Sequence, residues 1–104
     1  MTFSEPQNTT EYNQIFASAD VAIVYLTATW CGPCRAIAPI FSRLANENPE
    51  IAFIKVDVDK CHDLPLASSV TGVPTFVAFR TKVEVDRKAG ASPAAIEGLI
   101  KLLK

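Results

Sequence analysis

The spacing of hydrophobic residues changes several times along the chain, and each change marks a predicted element. From Asn8 to Ala19, apolar side chains recur at helical spacing, with Asn8 as the N-terminal cap. The run from Val21 to Leu26 is continuously apolar and rich in β-branched residues, which predicts a strand buried on both faces of a sheet. The helical period returns between Cys34 and Asn46, where Pro39 should kink the helix.

The second half of the chain predicts another strand and two more helices. The strand runs from Ile51 to Val58, and a short helix is expected within residues 60–72. Ser92 and Pro93 form a cap followed by a first-turn proline, which opens the final helix. Because a helix separates the strand at 21–26 from the strand at 51–58, the two strands should be parallel, with a right-handed crossover.

Two closely spaced segments predict an antiparallel hairpin. Thr75 to Phe79 and Val83 to Asp86 read as strands joined by a tight turn around Thr81 and Lys82. The Asn-Gly pair typical of such turns is absent, which weakens the signal for the turn type. Together the elements predict an α/β fold in which helices flank a central mixed sheet on both faces.

Composition and charge exclude several classes of function. A chain of 104 residues can bury one core but not two, so we expect a single domain over residues 1–104. The formal net charge of −1 and the scattered basic residues offer no face for a nucleic acid. The sequence shows no basic leader followed by an apolar run, and no apolar stretch approaches the roughly 20 residues that span a bilayer. We therefore expect a soluble cytoplasmic protein without nucleic-acid or membrane partners.

Two of the three cysteines form a CxxC motif in the stretch 29–35, TWCGPCR. Such a pair could be a structural disulfide, a metal clamp or a redox couple. A structural disulfide is rare inside cells. A metal site would combine Cys31 and Cys34 with Cys61 and His62, but the last two are adjacent and lack the spacing that lets both face one ion. Redox chemistry is the favoured interpretation.

The position of the motif between a strand and a helix gives the two sulfurs different roles. Cys31 lies where helix-terminal N–H groups and the helix dipole favour thiolate over thiol, so it is the candidate nucleophile. Cys34 lies one turn inside the helix and should be better shielded from solvent, which makes it the candidate resolving thiol. The predicted reaction is thiol-disulfide exchange through a mixed disulfide on Cys31.

Five short motifs, in order, give the chain its resemblance to a known family. They are ATWCGPC at 28–34, IAPIF at 37–41, VDVD at 56–59, GVPTF at 72–76 and AGA at 89–91. With these motifs the chain resembles the thioredoxin family over nearly its whole length. The resemblance implies a thioredoxin fold and a monomeric protein-disulfide reductase. Its substrates would be protein disulfides and its electron donor a thioredoxin-reductase-type enzyme. It implies no cofactor or metal beyond the redox-active Cys31–Cys34 disulfide.

The resemblance also assigns a groove for substrate. Trp30 would flank the cysteines, Pro74 would be cis and abut them, and the groove would be completed by residues Gly32, Pro33, Val73, Gly90 and Ala91. The Gly-Pro pair between the cysteines is typical of the reducing members, since oxidases and isomerases usually carry a His there.

One departure from the family pattern lies in the first predicted strand. Family members usually have a buried Asp six residues before the nucleophilic cysteine, held to relay the proton of the resolving thiol, but this chain has Tyr25 there. A phenol with a reference pKa near ~10 cannot act as a base at neutral pH. Lys55 matches a lysine that pairs with the missing acid in bacterial members, and we expect it to snorkel to the surface without a catalytic part.

Two further expectations follow. Cys61 and His62 lie in a polar stretch after a strand, so we expect an exposed thiol beside a solvated imidazole, with a redox-sensing role as the alternative.

The absence of the acid leaves a second functional class open. In that class the protein would be a thioredoxin-like adaptor that binds partners in the same groove with little turnover.

Overall fold

A mixed sheet with helices on both faces forms the centre of the protein, whose computed structural model describes residues 3–104. None of the helices formed by the described residues is both long enough and apolar enough to cross a bilayer. In chain order the elements are β1 (Phe3–Ser4), α1 (Thr9–Ala17), β2 (Val21–Thr27), α2 (Gly32–Glu47), β3 (Ala52–Asp57), α3 (Pro65–Ser69), β4 (Thr75–Arg80), β5 (Val83–Ala89) and α4 (Pro93–Leu103).

The five-stranded sheet has the order β1-β3-β2-β4-β5, with β2 at its centre. The strands β2 and β3 are parallel and β4 and β5 antiparallel, which confirms both predicted pairings. The edge strand β1 was not predicted. It consists of Phe3 and Ser4, and a segment of two residues is too short to show a hydrophobic period. It pairs with β3, whose residues come about half the chain later in the sequence.

The side chains of β2 alternate between two hydrophobic clusters, one on each face of the sheet. Ile23 and Tyr25 point into a cluster built with α2 and α4. Ala22 and Val24, which alternate with them along the strand, point into a second cluster that includes residues of α1 and α3. The prediction of a strand buried on both faces is therefore confirmed, and the helices lie on both faces as expected.

Side-chain caps set where the helices begin. The Asn8 side chain accepts from the Glu11 backbone N–H at 2.9 Å, as the sequence predicts. Ser92 caps α4 by accepting from the Ala95 N–H at 3.3 Å. The helix α2 begins at Gly32, two residues before the predicted start, because Cys31 itself caps it. It continues past Pro39 to Glu47.

The hairpin between β4 and β5 closes with a two-residue turn in a conformation that its residues disfavour. Thr81 and Lys82 have φ angles of 51° and 70°, the signs that a type I′ turn requires at both positions. The turn is anchored by the Thr81 N–H, which donates to the Asp20 carbonyl at 2.7 Å, and by Lys82 Nζ, which donates to the Ala19 carbonyl at 3.1 Å. Contacts with the α1–β2 connection thus replace the usual Asn-Gly pair.

We expect Thr81→Asn to stabilise the protein by about 1 kcal/mol, because the left-handed region is costly for a β-branched residue and tolerated by Asn. The backbone anchor to Asp20 does not depend on the side chain and should persist. Urea unfolding measures the change, with Thr81→Val as the matched control that keeps the branch and should gain nothing. Equal stabilities for wild type and Thr81→Asn would show that the positive φ carries no cost here.

Candidate active site

The cysteines of the CxxC motif lie at the junction of β2 and α2 and form a disulfide. Their Cα atoms are 5.3 Å apart. Cys31 is the N-cap residue of α2, and its Sγ accepts a hydrogen bond from the Cys34 backbone N–H at 3.2 Å. Both side chains are buried, Cys34 slightly more than Cys31, at 2% and 5% exposure. The first sulfur therefore faces a helix-terminal donor, as the sequence predicts.

The loop before β4 lies against Cys31. The Val73–Pro74 peptide bond is cis, as the family resemblance implies, and the Val73 carbonyl oxygen is 3.7 Å from Cys31 Sγ. The Gly90 N–H donates to the Pro74 carbonyl at 2.9 Å, which joins the end of β5 to this loop. Gly90 has a φ of 101°, a left-handed conformation that favours glycine. Ala91 follows it at the surface.

The other side of the cysteines is formed by an exposed aromatic residue. The Trp30 side chain is 67% exposed, and its Nε1 donates to Asp59 Oδ2 at 3.0 Å. Gly32 and Pro33, between the cysteines, are exposed as well. The structure thus places the Val73 carbonyl beside Cys31, with Trp30, Gly32 and Pro33 exposed next to it in the chain, and it joins Gly90 to this region through Pro74. It adds Asp59, whose pairing with the indole the sequence analysis missed although Asp59 ends the VDVD motif.

Tyr25, at the position of the missing acid, lies directly beneath the CxxC motif. Its ring is fully buried, with its centroid 4.9 Å from that of Phe76 and 5.0 Å from that of Phe41. Its hydroxyl donates to the Cys34 carbonyl at 2.8 Å. Burial raises the pKa of Tyr25, outweighing the opposing effect of Thr27. The phenol therefore stays protonated at neutral pH and fixes the first turn of α2 instead of accepting a proton.

An open cavity of about 470 Å³ lies beside Tyr25 and Cys34. Lys55 lines it and reaches the surface as predicted, where its Nζ is 3.8 Å from Glu5 Oε2. Nothing in the sequence around Glu5 points to this position. Its pairing with Lys55 depends on β1, which places residues 50 positions apart next to each other.

The prediction of an exposed thiol at Cys61 is wrong, although His62 beside it is exposed. Cys61 is fully buried and belongs to the second cluster, together with Tyr12. The turn after β3 causes this, because the Cys61 N–H donates to the Asp57 carbonyl at 3.0 Å within an otherwise polar stretch. Burial, reinforced by the Asp57 carboxylate, raises the pKa of the Cys61 thiol.

The three cysteines do not come together. Cys31 and Cys34 belong to the first core cluster and Cys61 to the second. Within residues 3–104 no group of three or more His, Cys, Asp and Glu side chains is arranged to hold a metal ion. The four-ligand arrangement considered from the sequence is therefore not assembled among these residues.

A CxxC disulfide that caps a helix, faces a cis-proline loop and follows the central strand of a mixed sheet defines a thiol-disulfide oxidoreductase of the thioredoxin fold. The family model described as Thioredoxin matches residues 4–102. The chain belongs to the thioredoxin family.

Relatives and solved structures support the same assignment. The chain is 52% identical over 103 residues to "Putative thioredoxin-5" of Dictyostelium discoideum, covering 97% of this chain and 98% of that protein. It is 39% identical to thioredoxin-2 of Saccharomyces cerevisiae, covering 90% and 91% of the two chains. The crystal structure of reduced Schistosoma mansoni thioredoxin pre-protein has a TM-score of 0.90 at 32% identity and covers 100% of both chains. The protein is a protein-disulfide reductase.

We expect Tyr25→Phe to lower the free energy of unfolding by about 0.5–1.5 kcal/mol, the net contribution of one hydrogen bond, because the Cys34 carbonyl loses this donor while the ring packing is kept. Urea unfolding of the oxidised protein measures it. Tyr12→Phe is the matched control, since the Tyr12 hydroxyl makes no hydrogen bond with the described residues and is not a buried unpaired group. Equal losses in both variants would contradict a specific role for the Tyr25 hydroxyl.

Proposed function

We propose that Cys31 is the nucleophile and Cys34 the resolving thiol of the reductase. The Cys31 thiolate attacks one sulfur of a substrate disulfide, that bond breaks, and one substrate thiolate leaves. The Cys34 thiolate then attacks Cys31 Sγ, the mixed disulfide breaks, and the second substrate thiolate leaves. Two electrons pass from the cysteine pair to the substrate, whose sulfurs each take up a proton, and Cys31 and Cys34 end as a disulfide.

The observation that carries this assignment is the hydrogen bond from the Cys34 N–H to Cys31 Sγ at 3.2 Å. In the reduced protein the same donor stabilises negative charge on Cys31, reinforced by the positive end of the α2 dipole. Cys34 lies inside the first turn of α2 and has no equivalent position at a helix terminus. Only one of the two sulfurs is therefore activated for attack.

The exposed surface around Cys31 supports the assignment of proteins as substrates. We assign substrate contact to Trp30 and to the residues that the family resemblance named, which are Gly32, Pro33, Val73, Pro74, Gly90 and Ala91. An exposed indole offers apolar contact area, and its hydrogen bond to Asp59 limits the rotation of the ring. The Val73 carbonyl oxygen, 3.7 Å from Cys31 Sγ, is our candidate acceptor for a hydrogen bond from a substrate backbone N–H.

The cycle needs a source of two electrons for each substrate reduced. We assign this role to a thioredoxin-reductase-type donor, as is typical of the family, and we propose that the protein acts as a cytoplasmic monomer. The cysteine pair itself carries the electrons, so no further cofactor enters the exchange. Because a solved structure with a similar fold is mitochondrial thioredoxin 3 of Saccharomyces cerevisiae, at 33% identity and a TM-score of 0.83, a mitochondrial location is the alternative outcome for the compartment. Fractionation of the source cells, followed by immunoblotting, tests it directly.

In the reduced protein, iodoacetamide should label Cys31 well before Cys34 near neutral pH, because only Cys31 has thiolate-stabilising donors. Quenched samples analysed by peptide mapping give the two rates. Cys34→Ser and Cys31→Ser serve as matched controls that report each thiol alone. Faster labelling of Cys34 would reverse the assignment of the two roles.

Cys34→Ser should trap a disulfide-containing test protein as a stable mixed disulfide on Cys31, because the attacking thiol remains and the displacing thiol is gone. Intact-mass analysis detects the adduct, and dithiothreitol should release it. The double variant Cys31→Ser, Cys34→Ser is the control and should form no adduct. Failure of Cys34→Ser to form one would contradict exchange through Cys31.

A further inference from the structure

Charged groups line the cavity beside Cys34. They are close to a thiol whose proton Tyr25 cannot accept. We propose that the Glu5 carboxylate, held at this cavity by Lys55, accepts the proton that Cys34 loses when it resolves the mixed disulfide. The proposal rests on the role assigned above to Cys34. It concerns the step at which most family members would use the acid that this chain lacks.

Strand register places Glu5 and Lys55 at this cavity. Tyr25 pairs with Lys55 across β2 and β3, so both side chains lie on the sheet face that also carries Cys34. Glu5 follows the β1 residue Ser4, which pairs with Ile54, the neighbour of Lys55. The resulting ion pair joins Glu5 Oε2 and Lys55 Nζ at 3.8 Å.

The size of the cavity allows water to connect the two ends of the transfer. Cys34 and Glu5 both line it, and its volume of about 470 Å³ exceeds the share of one water, about 30 Å³, many times over. Carboxylate and thiol therefore do not need to touch. A chain of waters can carry the proton between them.

Glu5 is the best candidate among the titratable and charged side chains at the cavity. Besides Cys34 these belong to Glu5, Tyr25, Arg35, Lys55, Asp57 and Lys60. Lysine and arginine side chains already carry their protons at neutral pH, and the buried phenol keeps its own.

Asp57, the other carboxylate, already has a structural role. Its Oδ1 accepts from the backbone N–H groups of Asp59 at 2.8 Å and Lys60 at 3.3 Å and so holds the turn after β3. The Glu5 carboxylate, in contrast, forms an ion pair with Lys55 and accepts no hydrogen bond from the described residues. It is therefore free to accept hydrogen bonds from water in the cavity.

Cys34 Sγ gives its proton through water to a Glu5 carboxylate oxygen and attacks Cys31 Sγ. The bond between Cys31 and the substrate sulfur breaks, and the substrate thiolate leaves with the electron pair. Glu5 then returns its proton to solvent, where the leaving thiolate takes one up. The Lys55 ammonium favours the transient thiolate on Cys34 and holds the carboxylate in place.

A reaction of the reduced protein with 5,5′-dithiobis(2-nitrobenzoate) separates the two thiol steps. Each sulfur displacement releases one coloured thiolate, so the fast phase reports attack by Cys31 and the slower phase reports resolution by Cys34. The leaving thiolate needs no proton, and the slow phase therefore depends on the loss of the Cys34 proton. Stopped-flow traces are recorded from mildly acidic to alkaline pH.

We expect Glu5→Gln to slow the second phase about tenfold near neutral pH, less than the about 10²–10⁴-fold effect of a base in direct contact. The difference should vanish at alkaline pH, where hydroxide removes the proton, and the first phase should stay unchanged. Glu5→Asp keeps the carboxylate and should recover part of the rate. The matched control is Glu50→Gln, which removes a similarly exposed carboxylate from its ion pair with Lys104, 3.6 Å away, and should change neither phase.

Three results would overturn the proposal. The first is a second phase in Glu5→Gln that matches wild type at every pH. The second is a slower second phase in Asp57→Asn but not in Glu5→Gln, which would identify Asp57 as the proton acceptor. The third is equal slowing of both phases, which would indicate a general disturbance of the site. Failure of the proposed function looks different, because the fast phase would then persist in Cys31→Ser.

Discussion

The burial of β2 on both faces is the constraint on which the whole site depends. This strand is hydrogen-bonded to β3 on one side and to β4 on the other. A shift of one residue would exchange the side chains between its two faces and place Tyr25 in the wrong cluster, so the register is fixed. Because the register is fixed, the end of β2 delivers Cys31 to one place in the molecule.

The same register brings the remaining parts of the site to that place. Leu26 pairs with Thr75 at the start of β4, so the cis Pro74 before it lies beside the cysteines. Tyr25 pairs with Lys55 on β3, which brings a cation to the cavity behind Cys34. The residues to which we assign attack, substrate contact and proton removal thus lie around one strand. The strands that pair with β2 are distant from it in sequence.

Tyr25 stabilises the fold at the position where the family pattern has a buried acid that relays a proton. A buried carboxyl group there would carry a large desolvation cost, whereas Tyr25 packs between aromatic rings and satisfies a backbone carbonyl. The consequence is chemical, because the proton of Cys34 needs another acceptor. In our proposal, Glu5 at the neighbouring cavity is that acceptor.

The parts of this protein that could be predicted from sequence are those with a local physical signature. The apolar run of β2, the helical stripe of α2 and the CxxC motif can each be recognised from a few consecutive residues. The burial of Cys61 could not be predicted, since it results from a backbone turn in a polar stretch. The contact of Glu5 with Lys55 joins residues far apart in sequence through a strand of two residues, and neither residue alone indicates it.

The central claim is that the cysteine pair turns over protein disulfides with Cys31 as the attacking sulfur. Reduction of insulin with dithiothreitol as the electron donor, followed by the turbidity of the released chains, tests it most directly. The account predicts that wild type accelerates the reaction at catalytic concentrations and that Cys31→Ser does not. Acceleration that persists in Cys31→Ser would contradict the role of this sulfur. No acceleration by wild type would contradict turnover itself and favour a protein that only binds its partners.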